Sequence, residues 1–151
     1  IREGDPLKIF TDREGEVILK KYSPIGELGE FATEYADSLN EALGHISCIA
    51  DKDTIIAVAG APKKQLLNKQ LSPDVEKVMN DRKTVLLNEP CFLTADEDIS
   101  YSSAVIAPII TEGDAVGAVI IAAKEPGITL GNLETKLAET AAGFLAKQME
   151  T

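Results

Sequence analysis

Ser103-Ala104-Val105-Ile106-Ala107-Pro108-Ile109-Ile110 and Ala115-Val116-Gly117-Ala118-Val119-Ile120-Ile121-Ala122-Ala123, joined through Glu112-Gly113-Asp114, decide the fold. Both runs are almost continuous in Val, Ile and Ala. Strands of that kind lie central in a sheet with both faces covered. The connection is short and carries a glycine, so the two runs pair as an antiparallel hairpin. Pro108 has no N–H to give to a ladder, which places a bulge or a sheet edge beside it.

Further strands lie upstream. Residues 45–50 and 54–59 read as two strands, with Asp51-Lys52-Asp53 as the turn between them. Gly60-Ala61-Pro62 ends the second of these, and residues 63–69 suit one short helix. Ser72-Pro73-Asp74 has the cap and first-turn chemistry of another, with Val75, Val78 and Met79 facing inward. Residues 84–87 read as a strand, and residues 88–100 as an irregular, acidic stretch.

Two longer helices flank this set. Leu28, Phe31, Ala32, Tyr35, Leu39, Ala42 and Leu43 recur at steps of three and four, which predicts a helix over 24–43. Ser23 suits its cap, Pro24 its first turn and Gly44 its stop. A second helix is expected from about Asn132, with Leu133, Leu137, Ala141, Phe144, Leu145 and Met149 on one stripe. Hairpin-linked strands with helices at both ends make an α+β layer arrangement: an antiparallel sheet with both terminal helices packed on one face.

The chain has 151 residues and a hydrophobic content of 44%, enough for a real core. Its formal charge is −10, and residues 1–22 are neutral, so all the excess acid lies in residues 23–151. A surface for nucleic acid needs clustered Lys and Arg to displace counterions from phosphates, and residues 23–151 have no such cluster. Two cysteines, Cys48 and Cys91, set no disulfide framework. No apolar run approaches the about 20 residues of a membrane span. One histidine and two distant cysteines give no metal site, and no Gly-rich phosphate loop is present.

The first 22 residues carry a hairpin of their own. Arg2-Glu3-Gly4-Asp5-Pro6-Leu7, the turn Asp12-Arg13-Glu14-Gly15 and Glu16-Val17-Ile18-Leu19-Lys20-Lys21-Tyr22 resemble the second half of an AbrB-type swapped-hairpin DNA-binding domain. Glu27-Leu28-Gly29-Glu30-Phe31, Glu34-Tyr35-Ala36-Asp37-Ser38-Leu39, Gly117-Ala118-Val119-Ile120-Ile121 and residues 139–150 resemble the GAF domain that follows it in SpoVT-like sporulation transcription regulators. The resemblance implies a partial AbrB-type domain at 1–22 and a GAF domain at 23–151 that includes the linker helix 24–43. It further implies a cytoplasmic regulator that is not an enzyme, uses no cofactor and has reduced thiols. Its DNA contacts would come from a segment preceding Ile1, with no DNA-binding residue in this chain. An AbrB-type barrel is an interleaved dimer, so a homo-oligomer, dimer or tetramer, is expected. Its interface would use Phe31, Tyr35, Leu39, Phe144 and Met149, which serve equally well as intramolecular core.

In GAF domains small molecules bind between the sheet and the loops opposite the terminal helices. The resemblance therefore directs attention to Gly60, Lys63, Lys64, Cys91 and Tyr101 as a small-effector site. Lys63 and Lys64 can pair with an anion, and Tyr101 can stack and donate a hydrogen bond. The competing reading makes the lysines a solvated helix start and Tyr101 a packing residue. A regulatory GAF domain sensing an effector and a ligand-free assembly module both fit these residues. A third reading makes Cys91 a reactive thiol, since some GAF-fold proteins are free-methionine-sulfoxide reductases. Cys48, inside an apolar strand, behaves as a small hydrophobe, and His45 stands alone, without a nucleophile beside it.

Overall fold

The computed structural model describes residues 7–11, 17–21 and 29–149. Strands β1 (Leu7–Thr11) and β2 (Val17–Lys21) pair antiparallel, with Leu7 opposite Lys21 and Thr11 opposite Val17. The turn between them lies outside the described residues, as do the Ser23 cap and Pro24.

The main body is a five-stranded antiparallel sheet in the order β4-β3-β9-β8-β5. It is built from β3 (Ile46–Ala50), β4 (Ile55–Ala59), β5 (Val85–Leu87), β8 (Ser103–Thr111) and β9 (Asp114–Ala123). A separate pair, β6 (Cys91–Phe92) and β7 (Ser100–Tyr101), stands apart from that sheet. Helices α1 (Gly29–Leu43) and α4 (Asn132–Met149) cover one face, while α2 (Lys63–Leu66) and α3 (Pro73–Asp81) lie toward the other.

The apolar hairpin sits where its composition places it. In β8 and β9, Val105 pairs with Ile121 and Ile106 with Ile120. Side chains of a strand point alternately to the two faces. Val105, Ala107, Ile109, Val119 and Ile121 therefore meet α1 and α4, while Ala104, Ile106, Ala118 and Ile120 enter a second core on the opposite side. Both faces are dry, which is why neither strand alternates with polar residues. The connection is a two-residue loop, Glu112-Gly113, with φ of 51° and 86°. Positive φ at both positions matches the twist of the flanking strands. Both consequences expected of Pro108 are present. β5 pairs with β8 only from Ala104 to Ile106, leaving Pro108 on an edge, and the register shifts at Ile109/Ile110.

Local chemistry sets the other boundaries. Asp51 Oδ1 accepts from the N–H groups of Asp53 and Thr54, both at 2.8 Å, closing the β3–β4 turn. The Ser72 hydroxyl accepts from Val75 N at 3.3 Å to cap α3, and Arg82 at φ 57° ends it. Gly44, at φ 75°, donates its N–H to Asn40 O at 2.7 Å and stops α1.

Three expectations need correction. The short helix ends at Leu66 instead of reaching Lys69, because residues 68–71 turn back to brace the outer edge of β4. Asn68 N donates to Ile55 O at 2.8 Å, Ile55 N to Lys69 O at 3.1 Å and Leu71 N to Asp53 O at 2.9 Å. The stretch 88–100 is not wholly irregular, since it contains β6 and leads into β7. Leu133 is not on the inner stripe of α4: it is 62% exposed, and the face against the sheet is Ala138, Ala141, Ala142, Leu145 and Ala146.

Candidate functional site

The face opposite the terminal helices is packed with side chains. Leu66 of α2, Val75, Val78 and Met79 of α3, and Leu71, Cys91, Leu93 and Tyr101 all bury there against Cys48, Ile106 and Ile120 of the sheet. At the sequence level Cys91 and Tyr101 were candidates for one site, and the β6–β7 register does bring them together, with Cys91 opposite Tyr101. Gly60, Lys63 and Lys64 are exposed at the end of β4. Gly60 has a local reason of its own. At φ 88° it lies against the Asn40 side chain and the backbone of Ile46, where a Cβ would collide. A cleft of about 350 Å³ includes Cys91 in its lining, and another of about 450 Å³ includes Tyr101. Gly60, Lys63 and Lys64 line neither of them.

Tyr101 is the unusual member. Its side chain is fully buried, yet its hydroxyl has no hydrogen-bond partner. Burial, with smaller effects from Cys48, Asp96 and Cys91, pushes its pKa up to about 12, so the hydroxyl remains a donor across the physiological range. A second buried polar atom, Oε1 of Gln65, is also unpartnered. It lies on α2, whose Leu66 packs into the same core. The sequence offered no signal for Gln65, because a lone Gln in a four-residue helix carries no periodicity.

The same packing weighs against the thiol reading. Cys91 lies in β6 and is 5% exposed, not accessible in a loop. Burial, followed by the charges of Asp74 and Glu89, raises its pKa to about 11, and burial takes Cys48 to about 12. Reactive cysteines are thiolates stabilised by positive surroundings, and these two are held protonated. His45 faces Glu134, Nε2 to Oε2 at 3.8 Å. Among the described residues no group of three His, Cys, Asp or Glu is placed to hold a metal ion.

The residues considered for an interface divide. Leu39 is 6% exposed and belongs to the core under α1. Phe31, Tyr35 and Phe144 form an aromatic cluster across α1 and α4. Their ring centroids lie 6.3 Å (Phe31–Tyr35), 5.7 Å (Phe31–Phe144) and 5.5 Å (Tyr35–Phe144) apart. Phe144 remains 41% exposed, and Met149 is half-buried beside the same core.

Solved structures share this arrangement. A GAF domain from an Acinetobacter phosphoenolpyruvate-protein phosphotransferase superposes with a TM-score of 0.66 at 14% identity, covering 84% of this chain and 88% of that one. The corresponding domain from Coxiella burnetii gives 0.66 at 19% identity, covering 82% of each. A type II free methionine-R-sulfoxide reductase from Thermoplasma acidophilum gives 0.63 at 11% identity, covering 85% of this chain and 95% of that one. At such identities the likeness is one of fold, and the fold is GAF-like. The sequence comparison is more specific. Residues 27–150 match the family described as Stage V sporulation protein T C-terminal, transcription factor. The chain is 53% identical over 154 residues to Stage V sporulation protein T of Bacillus subtilis (strain 168), covering 99% of this chain and 84% of that protein. The chain belongs to the Stage V sporulation protein T family of transcription factors. Among the described residues no helix is long and apolar enough to cross a membrane.

Proposed function

We propose that residues 23–151 form the regulatory domain of a cytoplasmic sporulation transcription factor, and that residues 1–22 are part of its AbrB-type DNA-binding domain. DNA is bound through the intact N-terminal domain, and the GAF-like domain has no catalytic role. A small effector enters the core opposite the terminal helices and shifts the placement of the DNA-binding heads through the helix that ends at Leu43. Such coupling is a free-energy difference between two arrangements. The effector binds one of them better than the other.

The observation that carries this reading is the Tyr101 hydroxyl. A buried donor left without a partner costs about 1–3 kcal/mol, and a ligand acceptor would recover that. Leu71, Val75 and Leu93, which share its core, call for an aliphatic body behind the acceptor, as in an amino-acid-like effector. Native mass spectrometry beside a denatured control tests it. The expected result is a non-covalent mass on the wild-type chain that Tyr101→Phe loses. A clean mass on both, together with no thermal shift across a panel of aliphatic carboxylates and amino acids, would reject effector binding.

A second reading, assembly without a ligand, is favoured by the Phe31–Tyr35–Phe144 cluster and the exposure of Phe144. Its signature is a defined homo-oligomer that persists when Tyr101 is changed.

A further inference from the structure

The two edges of the main sheet are treated differently. The outer side of β4 is closed by residues 68–71 through the backbone bonds described above. On the outer side of β5, no backbone hydrogen bond joins Val85–Leu87 to any described residue. β5 reaches only as far as Ile106 of β8, and Ala107, Pro108 and Ile109 beyond it are buried, so the open edge is Val85–Leu87 itself. An unpaired edge presents N–H and C=O groups that can template another strand.

Two clefts border this edge. The first, about 350 Å³, touches Val85 and Leu87, with Val78 and Cys91 beneath them. The exposed carboxylates of Asp74, Asp81 and Glu89 surround it. Its one cation, Lys77, is already held by Asp81 at 3.0 Å. The second, about 230 Å³, lies where Thr84 and Ile110 meet Gly143 and Ala146 of α4, with Glu139 beside them.

We infer that the open β5 edge accepts an extended, basic segment of a partner protein as an added strand, its Lys or Arg side chains seated among Asp74, Asp81 and Glu89. The strand period sets the pattern of that segment. Val85 and Leu87 face the acid-ringed side and Leu86 faces α4. Residues aligned with Val85 and Leu87 are therefore basic, and those between them are small and apolar. Backbone bonds to the edge supply affinity, and the alternating seats supply specificity. The short edge limits the segment to about four to six residues at about 3.4 Å each, and the ring of carboxylates repels nucleic acid from the same site.

The test is an NMR titration of the chain with a capped Lys-Val-Lys-Val-Lys-Val peptide, its N-methylated analogue and its Glu-for-Lys counterpart. Amide shifts are expected at Val85–Leu87. Affinity should fall at least tenfold on N-methylation and at least fivefold in an Asp74→Asn/Glu89→Gln variant whose remaining spectrum is unchanged. The Glu peptide should not bind. No shift at millimolar peptide, shifts elsewhere, or equal binding of the N-methylated or Glu peptide would overturn the inference. Concentration-dependent shifts of the same amides without peptide would overturn it too, by assigning the edge to a second copy of the chain.

Discussion

Tyr101 links the chemistry of one residue to the function proposed for the chain. Its hydroxyl is buried without a partner, so Tyr101→Phe should stabilise the ligand-free protein by about 1 kcal/mol, because removing the group removes its desolvation penalty. Urea denaturation measures this, and a loss of stability instead would mean that the hydroxyl is paired in solution. Asp96 behaves in the opposite sense. Hydrogen bonds from Lys69 and Thr94 hold its pKa down at about 2, against about 3.9 for a free Asp. A carboxylate with a depressed folded pKa contributes stability above the unfolded value and loses it as pH falls through the folded one. Asp96→Asn should therefore be less stable than wild type at neutral pH, with the difference shrinking between about pH 4 and pH 2. A difference independent of pH would assign the effect to the hydrogen bonds of the Asp96 turn rather than to its charge. The sequence offers Tyr101 and Cys91 as candidates for one site, and the β6–β7 register sets them opposite each other. The failure of that hydroxyl to find a partner is a property of the three-dimensional packing alone.

At the scale of elements, what was legible followed from strong periodicity and turn chemistry. The β8–β9 hairpin, the capped start of α3 at Ser72-Pro73 and the stop of α1 at Gly44 were read because each rests on interactions within a few residues. β6 and β7 are two residues each, too short to show alternation, so Cys91 was misread as lying in a loop. The phase of α4 was misjudged at Leu133 for another reason. Hydrophobicity ranks Leu and Phe above Ala, whereas close packing of a helix on a sheet selects Ala138, Ala141 and Ala142. Two glycines test these packing arguments. At Gly117 in β9 a Cβ would run into the carbonyl of Ala50 on the paired strand. That is backbone, which has little room to move, so Gly117→Ala should cost about 1–3 kcal/mol. At Gly143, exposed on α4, an added Cβ meets nothing within 4 Å. There Gly143→Ala should stabilise by about 0.5–1 kcal/mol through helix propensity. Thermal denaturation of both variants in parallel measures the contrast, and equal effects would mean that the strand spacing at Gly117 relaxes.

For the whole molecule the open question is what becomes of the flank shared by α1 and α4. The sheet accounts for the alanine face of α4 but leaves Phe144 41% and Leu133 62% exposed. Isolated exposed apolar residues are ordinary on a protein surface. Phe144, however, is joined to Phe31 and Tyr35 across two helices, and aromatic clusters of that kind serve as anchors in interfaces. If the proposed assembly uses this flank, Phe144→Ala removes a central contact worth about 2 kcal/mol, which raises the dissociation constant about 30-fold. The folded monomer also loses the packing of this ring on Phe31 and Tyr35, so dissociation, and not stability alone, is the readout. Sedimentation velocity over a hundredfold range of concentration distinguishes the cases. The wild-type chain should sediment as an oligomer at concentrations where Phe144→Ala has begun to dissociate, and the wild-type melting temperature should fall on dilution while that of the dissociated variant holds steady. Identical sedimentation of the two proteins would confine the aromatic cluster to packing within one subunit. Any coupling between the proposed effector site and the DNA-binding heads would then have to run through α1 within a single chain.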